Sequence, residues 1–198
     1  MAVLKIAARR RTASPVRGAL RIGWLVLLLF GSPAAWTAPA SPALASQIEA
    51  VFLFNFTQFV EWPSEAFAEP RTPLVIGVLG EDPFGAFLDD TVRGETVNGR
   101  ALSVQRYHSL EEIKTCHVLF ISRSETERLK EALAALKGRS TLTVSDVEDF
   151  NRSGGMIQFA TVENKIRLRI NLEAARSAHL TISSKLLRPA EIVGGGKD

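Results

Sequence analysis

Cysteine is nearly absent, because the 198-residue sequence contains a single one, Cys116. A lone thiol cannot form an intrachain disulfide, so no covalent link within the chain stabilises the fold. The roughly 155 residues beyond the N-terminal segment are enough to bury a hydrophobic core of their own. Cys116 also lies far from the N-terminus, where a lipid anchor would need its acceptor. The sequence therefore predicts a domain held by its core, with no lipid anchor.

Acidic residues are missing from the first 40 positions, which contain six of the 24 basic residues. The rest of the chain has 18 basic and 21 acidic residues, so its net charge is −3 although the whole sequence carries +3. Binding to nucleic acid depends on a basic surface that neutralises phosphates. The mildly acidic composition after residue 40 removes that basis, and no nucleic acid is expected among the partners.

The sequence also lacks an apolar run of membrane-spanning length. The run at residues 22–30 has about nine residues, whereas a transmembrane helix needs about 20. It follows a basic segment and precedes small residues and prolines, which is the layout of a signal peptide. We predict a Sec-type signal peptide over residues 1–40, cleaved somewhere within 34–45, and export to the periplasm. An uncleaved anchor that also uses the flanking residues is the alternative.

Motifs of catalysis and of metal binding are missing as well. None of the three histidines has the spacing of a metal ligand to another histidine or to the cysteine. The Gly80–Gly85 segment lacks the glycine pattern and the lysine of a phosphate-binding loop. The pair Ser184 and Lys185 lacks Ser-x-x-Lys spacing, and the acidic residues at 146–149 lack the register of a calcium loop. The sequence therefore predicts no enzymatic activity, no metal and no cofactor.

The pattern that is present alternates strands with helices. A helix rich in aromatic residues is predicted from Ser46 to Trp62, begun by a capping box of Ser46 with Glu49 and ended by Pro63. The alternation that follows predicts an α/β domain over residues 46–190, with a mostly parallel sheet flanked by helices on both faces. Strands are predicted over 74–79, 101–107, 118–121 and 141–144, and helices over 83–92 and 125–136.

The last third of the chain departs from this alternation. Two arms, 156–162 and 165–170, flank Glu163 and Asn164, which have the length and residue type of a hairpin loop. They predict a C-terminal β-hairpin. Asn171 is predicted to cap a short helix, and residues 191–198 are predicted to form a flexible tail.

Three residues of the predicted aromatic helix are candidates for binding a partner. At 100° per residue Ile48 falls on the main apolar side, whereas Val51, Phe54 and Trp62 fall among polar positions. One interpretation is contact with a partner or a second subunit, since exposed aromatic patches mark interaction sites. The other is burial between two layers of structure.

A second candidate surface is a basic stripe on the hairpin. Lys165, Arg167 and Arg169 alternate along its second arm and point to one side. They form either a binding surface or a solvated sheet face that resists aggregation.

Seven segments of the chain, taken in order, form one further pattern: 52–56 through 62–63, 75–80 with 82–85, 116–121, 142–146, 154–157, 170–172 with 174–175, and 182–187. Together they resemble the YfiR-like family, also called DUF4154, across residues 48–190. The resemblance implies a periplasmic α/β protein that forms a homodimer and has no catalytic residues. It also implies a partner, the periplasmic part of an inner-membrane diguanylate cyclase or of another membrane sensor. Disulfide-bearing members pair cysteines, so redox control through an intrachain bridge does not carry over to Cys116.

Three functional hypotheses follow from these observations. The leading one is a non-enzymatic protein that restrains a membrane-bound diguanylate cyclase and lowers cyclic-di-GMP output, which restrains biofilm formation. The second is a periplasmic sensor or carrier of a small ligand, bound at the carboxyl edge of the sheet near Gly80–Gly85. The third is an exported hydrolase that uses Ser184 or His117.

Overall fold

The computed structural model describes residues 42–194, so the predicted signal peptide and residues 195–198 lie outside the described residues. Helices and strands alternate along this range, joined by three short 3-10 helices. The α-helices are α1 (Pro42–Phe59), α2 (Ala86–Val92), α3 (Leu129–Ala135), α4 (Leu172–Ser177) and α5 (Ser184–Leu187). The strands are β1 (Val60–Glu61), β2 (Leu74–Leu79), β3 (Thr96–Val97), β4 (Arg100–Tyr107), β5 (Val118–Ile121), β6 (Leu142–Ser145), β7 (Ile157–Val162), β8 (Lys165–Asn171), β9 (Thr181–Ile182) and β10 (Glu191–Val193). The 3-10 helices are Ser64–Ala66, Leu110–Glu112 and Arg123–Arg128.

Eight of the strands form one sheet in the order β10-β8-β7-β6-β5-β2-β4-β3. The centre is parallel, since β2 pairs in parallel with both β4 and β5, and β5, β6 and β7 follow in parallel. Antiparallel pairs occur at β3–β4 and at the β7–β8 hairpin. Strands β1 and β9 form a separate antiparallel pair. The predicted α/β class, with a mostly parallel sheet, flanking helices and a C-terminal hairpin, is confirmed.

The central strands are buried on both faces, which explains their nearly continuous apolar sequences. Every residue of β2, β5 and β6 is buried. Side chains alternate across the sheet, so Val118 and Phe120 join the core on the α1 face, whereas Leu119 and Ile121 join a second core on the α3 face. Two hydrophobic cores therefore enclose the sheet.

Helix α1 differs from its prediction at both ends. It begins at Pro42, so Ser46 and Glu49 lie inside the helix and form no capping box. Proline suits the first turn of a helix because its missing N–H has no partner there in any case. The helix ends at Phe59, since Val60 continues as strand and pairs with Ile182 of β9.

Helix α2 begins three residues later than predicted. Asp82 does not cap it; its Oδ1 accepts from the backbone N–H of Phe84 (2.8 Å), and Oδ2 pairs with Arg106 (2.8 Å). Gly85, with φ of 52°, precedes the first helical residue. Helix α3 is also shorter than predicted, because the chain first forms the 3-10 helix Arg123–Arg128.

The hairpin forms where the sequence predicted it. Glu163 and Asn164 have φ of 48° and 62°, as both positions of a type I′ turn require. Asn171 caps α4 as predicted, since its Oδ1 accepts from the backbone N–H of Ala174 (3.0 Å). Residues Glu191–Val193, assigned from sequence to the flexible tail, instead form β10 beside β8.

Candidate functional site

The inner side of α1 is anchored in the core by aromatic and aliphatic side chains. Leu53 and Phe56 are fully buried, and the Phe56 ring stacks on Phe159 of β7 with centroids 5.9 Å apart. The polar Thr57 is also buried, and its hydroxyl donates to the carbonyl of Phe54 (2.6 Å). Burial on more than one side explains why this helix has so many apolar residues.

The outer side of α1 carries three exposed aliphatic residues. Leu44, Ile48 and Val51 are 48%, 39% and 41% exposed, and their i, i+4, i+7 spacing places them on one face of the helix. We call these three residues the α1 stripe. The prediction that placed Ile48 on the buried side is wrong, because the buried face lies along Ala50, Leu53 and Thr57. Val51 is exposed as the partner-binding interpretation requires.

Phe54 and Trp62, the other two aromatic-helix candidates, are half-buried. Phe54 packs against the edge of the core on the α1 face. Trp62 lies beyond the helix, and its Nε1–H donates to the carbonyl of His117 at the start of β5 (3.2 Å). Both side chains have a structural role, and their role in partner binding stays a prediction.

His117 holds the segment after Trp62 against the amino edge of the sheet. Its Nδ1 accepts from the backbone N–H of Val75 (3.0 Å), and its Nε2 lies 3.2 Å from the carbonyl of Ala66, which requires Nε2 to carry the proton. The Phe67 ring stacks on the imidazole at 4.5 Å. Burial lowers the pKa of His117, and Arg100 lowers it further, while the bond to Ala66 opposes them. The imidazole is therefore a neutral structural group.

The basic stripe lies on the other face of the sheet. On β8, Leu168 and Ile170 belong to the core beneath α1, so alternation places Lys165, Arg167 and Arg169 on the opposite face. Arg169 Nε forms an ion pair with Glu191 Oε2 of β10 (2.9 Å), so one of the three charges is paired within the chain. The structure does not bring the α1 stripe and the basic stripe together.

At the carboxyl edge of the sheet, where a small ligand was expected, two turns of the chain pack against each other. The turn after β2 lies against the turn after β5, and Ser124 Oγ accepts from the backbone N–H of Glu81 (2.9 Å). A β-carbon at Gly80 would collide with Ser124 Oγ and approach Glu125 Cγ to 2.9 Å. Gly80 thus allows the two turns to meet.

A buried carboxylate cluster near the start of α1 was not predicted. Glu49 is 8% exposed, and burial together with the charge of Asp146 raises its pKa to about 7, while Arg123 opposes this. Arg123 Nε pairs with Asp146 Oδ2 (2.7 Å), leaving Asp146 Oδ1 buried without a hydrogen bond in the described residues. A glutamate within an apolar helix was the sequence signal for this cluster, but residue spacing did not identify Asp146 as its partner.

The residues considered for catalysis have structural roles. The Cys116 thiol donates to the carbonyl of Val118 (3.1 Å), and burial raises its pKa to about 12, so it holds no reactive thiolate at neutral pH. Ser184 begins α5, which Ser183 caps through the backbone N–H of Lys185 (3.3 Å). His117 uses both ring nitrogens for the contacts above. Nothing in this arrangement activates a nucleophile.

Two features are absent from the described part of the chain, a metal site and a membrane-spanning helix. Residues 42–194 contain no group of three acidic, histidine or cysteine side chains placed to hold a metal ion. In the same range, every helix is too short or too polar to cross a membrane.

Comparison with curated proteins found no match. A family model described as DUF4154, YfiR/HmsC-like, matches residues 46–191, which is most of the chain, and the chain therefore belongs to the YfiR/HmsC-like family.

Proposed function

We propose that this chain is an exported, non-enzymatic regulator that binds the periplasmic part of an inner-membrane diguanylate cyclase and lowers cyclic-di-GMP output. Family membership fits a periplasmic regulatory role. The N-terminal sequence supports export, since it combines a basic segment, a short apolar run and small residues. The side chains that the hydrolase hypothesis needs are engaged in structural contacts, which favours action by binding.

The observation that carries the proposal is the α1 stripe. Its residues stand on a helix whose other side is fixed in the core, so a partner meets a preformed surface. Burying the exposed part of Ile48 and Val51, which lie beyond the predicted cleavage range, contributes about 2 kcal/mol in total. If the partner offers the matching surface in its inactive state only, this difference favours that state about thirtyfold.

The test replaces Val51 by glutamate in a strain that lacks the chromosomal gene. Deletion should raise cyclic-di-GMP, and the wild-type gene should restore the low level. Val51→Glu should fail to restore it, because a charge at this position opposes apolar burial. The matched control is Gln58→Glu, which adds the same charge at an exposed position of the same helix, two turns beyond Val51.

Equal repression by both variants would refute the role of the α1 stripe, and unchanged cyclic-di-GMP on deletion would refute the cyclase as partner. Thermal unfolding of both variants checks the fold. Phe54→Ala separates binding from folding less cleanly, because Phe54 also packs against the core.

As the alternative occupant of the α1 stripe we propose a second copy of this chain, in the homodimer that the family resemblance implies. Val51→Glu should then shift the sedimentation coefficient towards that of a monomer, while Gln58→Glu keeps the dimer. A Val51→Glu protein that stays dimeric would place the subunit interface elsewhere, with Lys165, Arg167 and Arg169 as the next surface to test.

A further inference from the structure

The amino edge of the sheet contains an open cavity of about 730 Å³ that the proposed function does not use. One wall is the segment Pro63–Ala66, and the opposite wall is the segment 138–141 that follows α3. Residues 114–116, just before β5, form the floor. The volume lies within the range of small-molecule sites in proteins.

The first wall is fixed to the start of β5. Ala66 accepts a hydrogen bond through its carbonyl from His117 Nε2 (3.2 Å), and Trp62 Nε1 donates to the carbonyl of His117 (3.2 Å). The 3-10 helix Ser64–Ala66 between these contacts has little freedom to move away. This side of the cavity is therefore preformed.

The second wall is fixed in the same way. Arg139 Nη1 donates to the carbonyl of Ile113 (2.9 Å), and Thr141 Oγ1 donates to the carbonyl of Cys116 (2.8 Å). Both bonds join the loop after α3 to the residues before β5. A ligand would meet walls already in place, so ordering them costs little binding free energy.

The charges around the cavity favour an anion. Lys114 and Arg139 line it, against one acidic residue, Glu65, and His179 adds an imidazole N–H donor. Lys114 and His179 form no ion pair within residues 42–194, and Arg139 uses one of its five N–H donors on Ile113. This local excess of basic groups stands out, because the chain beyond residue 40 carries a net charge of −3.

Hydroxyl groups complete the set of donors. Ser140 and Thr115 line the same cavity beside Arg139 and Lys114. Guanidinium, ammonium and hydroxyl donors are the groups that bind phosphate and carboxylate oxygens in proteins. The cavity exceeds the size of a bare ion, which leaves room for the rest of a molecule that carries the anionic group.

We propose that this cavity binds a small molecule through a phosphate or carboxylate group, held by Lys114 and Arg139 with the hydroxyls of Ser140 and Thr115. The site lies at the opposite edge of the sheet from the one at which a ligand was expected. It does not depend on the identity of the protein partner.

The experiment is an NMR titration of the purified protein with inorganic phosphate and, separately, with acetate, with sodium chloride at constant ionic strength as baseline. The amide signals of Thr115 and Ser140 should shift and saturate with millimolar dissociation constants. Saturation by phosphate alone identifies a phosphate-bearing ligand, and saturation by acetate alone a carboxylate. Saturation by both supports the shared anion chemistry.

The variant Lys114→Gln removes one exposed charge and should weaken binding about tenfold, as expected for a charge-assisted hydrogen bond. The matched control is Lys130→Gln on the exposed side of α3, outside the cavity, which should leave binding unchanged. Shifts that never saturate, or an equal loss in both variants, would overturn the proposal.

Discussion

Replacing Glu49 by glutamine should raise the free energy of unfolding at alkaline pH and leave it nearly unchanged at acidic pH. Burial and the charge of Asp146 raise the pKa of Glu49 from 4.5 to about 7. Folding thus favours the protonated carboxyl. Its contribution to the free energy of unfolding is complete below about pH 4.5 and is lost as the pH rises through 7. The difference between these pKa values corresponds to about 3 kcal/mol. Glutamine resembles the protonated carboxyl in shape and never ionises.

The assay is urea unfolding of the wild type, Glu49→Gln and the control Glu127→Gln, which replaces an exposed glutamate of a 3-10 helix. The free energy of unfolding of Glu49→Gln should exceed that of the wild type by about 3 kcal/mol near pH 8.5 and match it near pH 4.5. The control should stay within about 0.5 kcal/mol of the wild type throughout. A gain that is equal at both pH values, or a loss near pH 8.5, would show that ionisation of Glu49 does not oppose folding.

Two further predictions concern the amino-terminal half of the sheet. His117→Phe should lower the free energy of unfolding by about 2 kcal/mol near neutral pH, since it leaves the buried N–H of Val75 without an acceptor. The pKa of His117 is lowered from 6.5, so its contribution to the free energy of unfolding is present above pH 6.5 and falls as the pH drops below that value. His117→Phe should remove this loss of stability in acid. Urea titrations between about pH 5 and 8 test both statements, and an unaltered pH slope would contradict the second. Gly77→Ala should cost about 2 kcal/mol by overpacking, because its β-carbon would lie 2.6 Å from Tyr107 Cε2 and 2.7 Å from Cys116 Sγ. Adding Cys116→Ala should recover part of this loss in a double-mutant cycle, and strict additivity would count against the contact.

The sheet was predictable because its local signals agree with its tertiary environment. The apolar run at Leu74–Leu79 is buried on both faces, and Glu163 with Asn164 has the residue types that a type I′ turn demands. Helix ends were less predictable. Pro42 lies among the small residues and prolines where cleavage was predicted, and the strand pairing that ends α1 at Phe59 depends on Ile182, far along the sequence.

The candidate surface was predictable only in part. Val51 falls among polar positions in the sequence and is exposed, but a helix with apolar residues around most of its circumference does not reveal which side faces the core, and Ile48 was misplaced for that reason. The cluster of Glu49 with Asp146 joins residues that are distant in sequence, so no local spacing predicts it. The cavity at the amino edge is formed by loops whose polar residues have no pattern of their own.

The pairing of β1 with β9 has a consequence for the order in which the domain is completed. Val60 lies opposite Ile182, and the Ser183 N–H donates to the carbonyl of Phe59 (2.8 Å). One of the last segments of the domain therefore pairs with the residues at the end of its first helix. A chain that emerges N-terminus first exposes the rings of Phe52 and Phe56 until nearly all of the domain has followed. Contacts this distant form slowly. For the exported chain that we propose, we therefore expect holding chaperones to bind before folding is complete and to cover the aromatic helix.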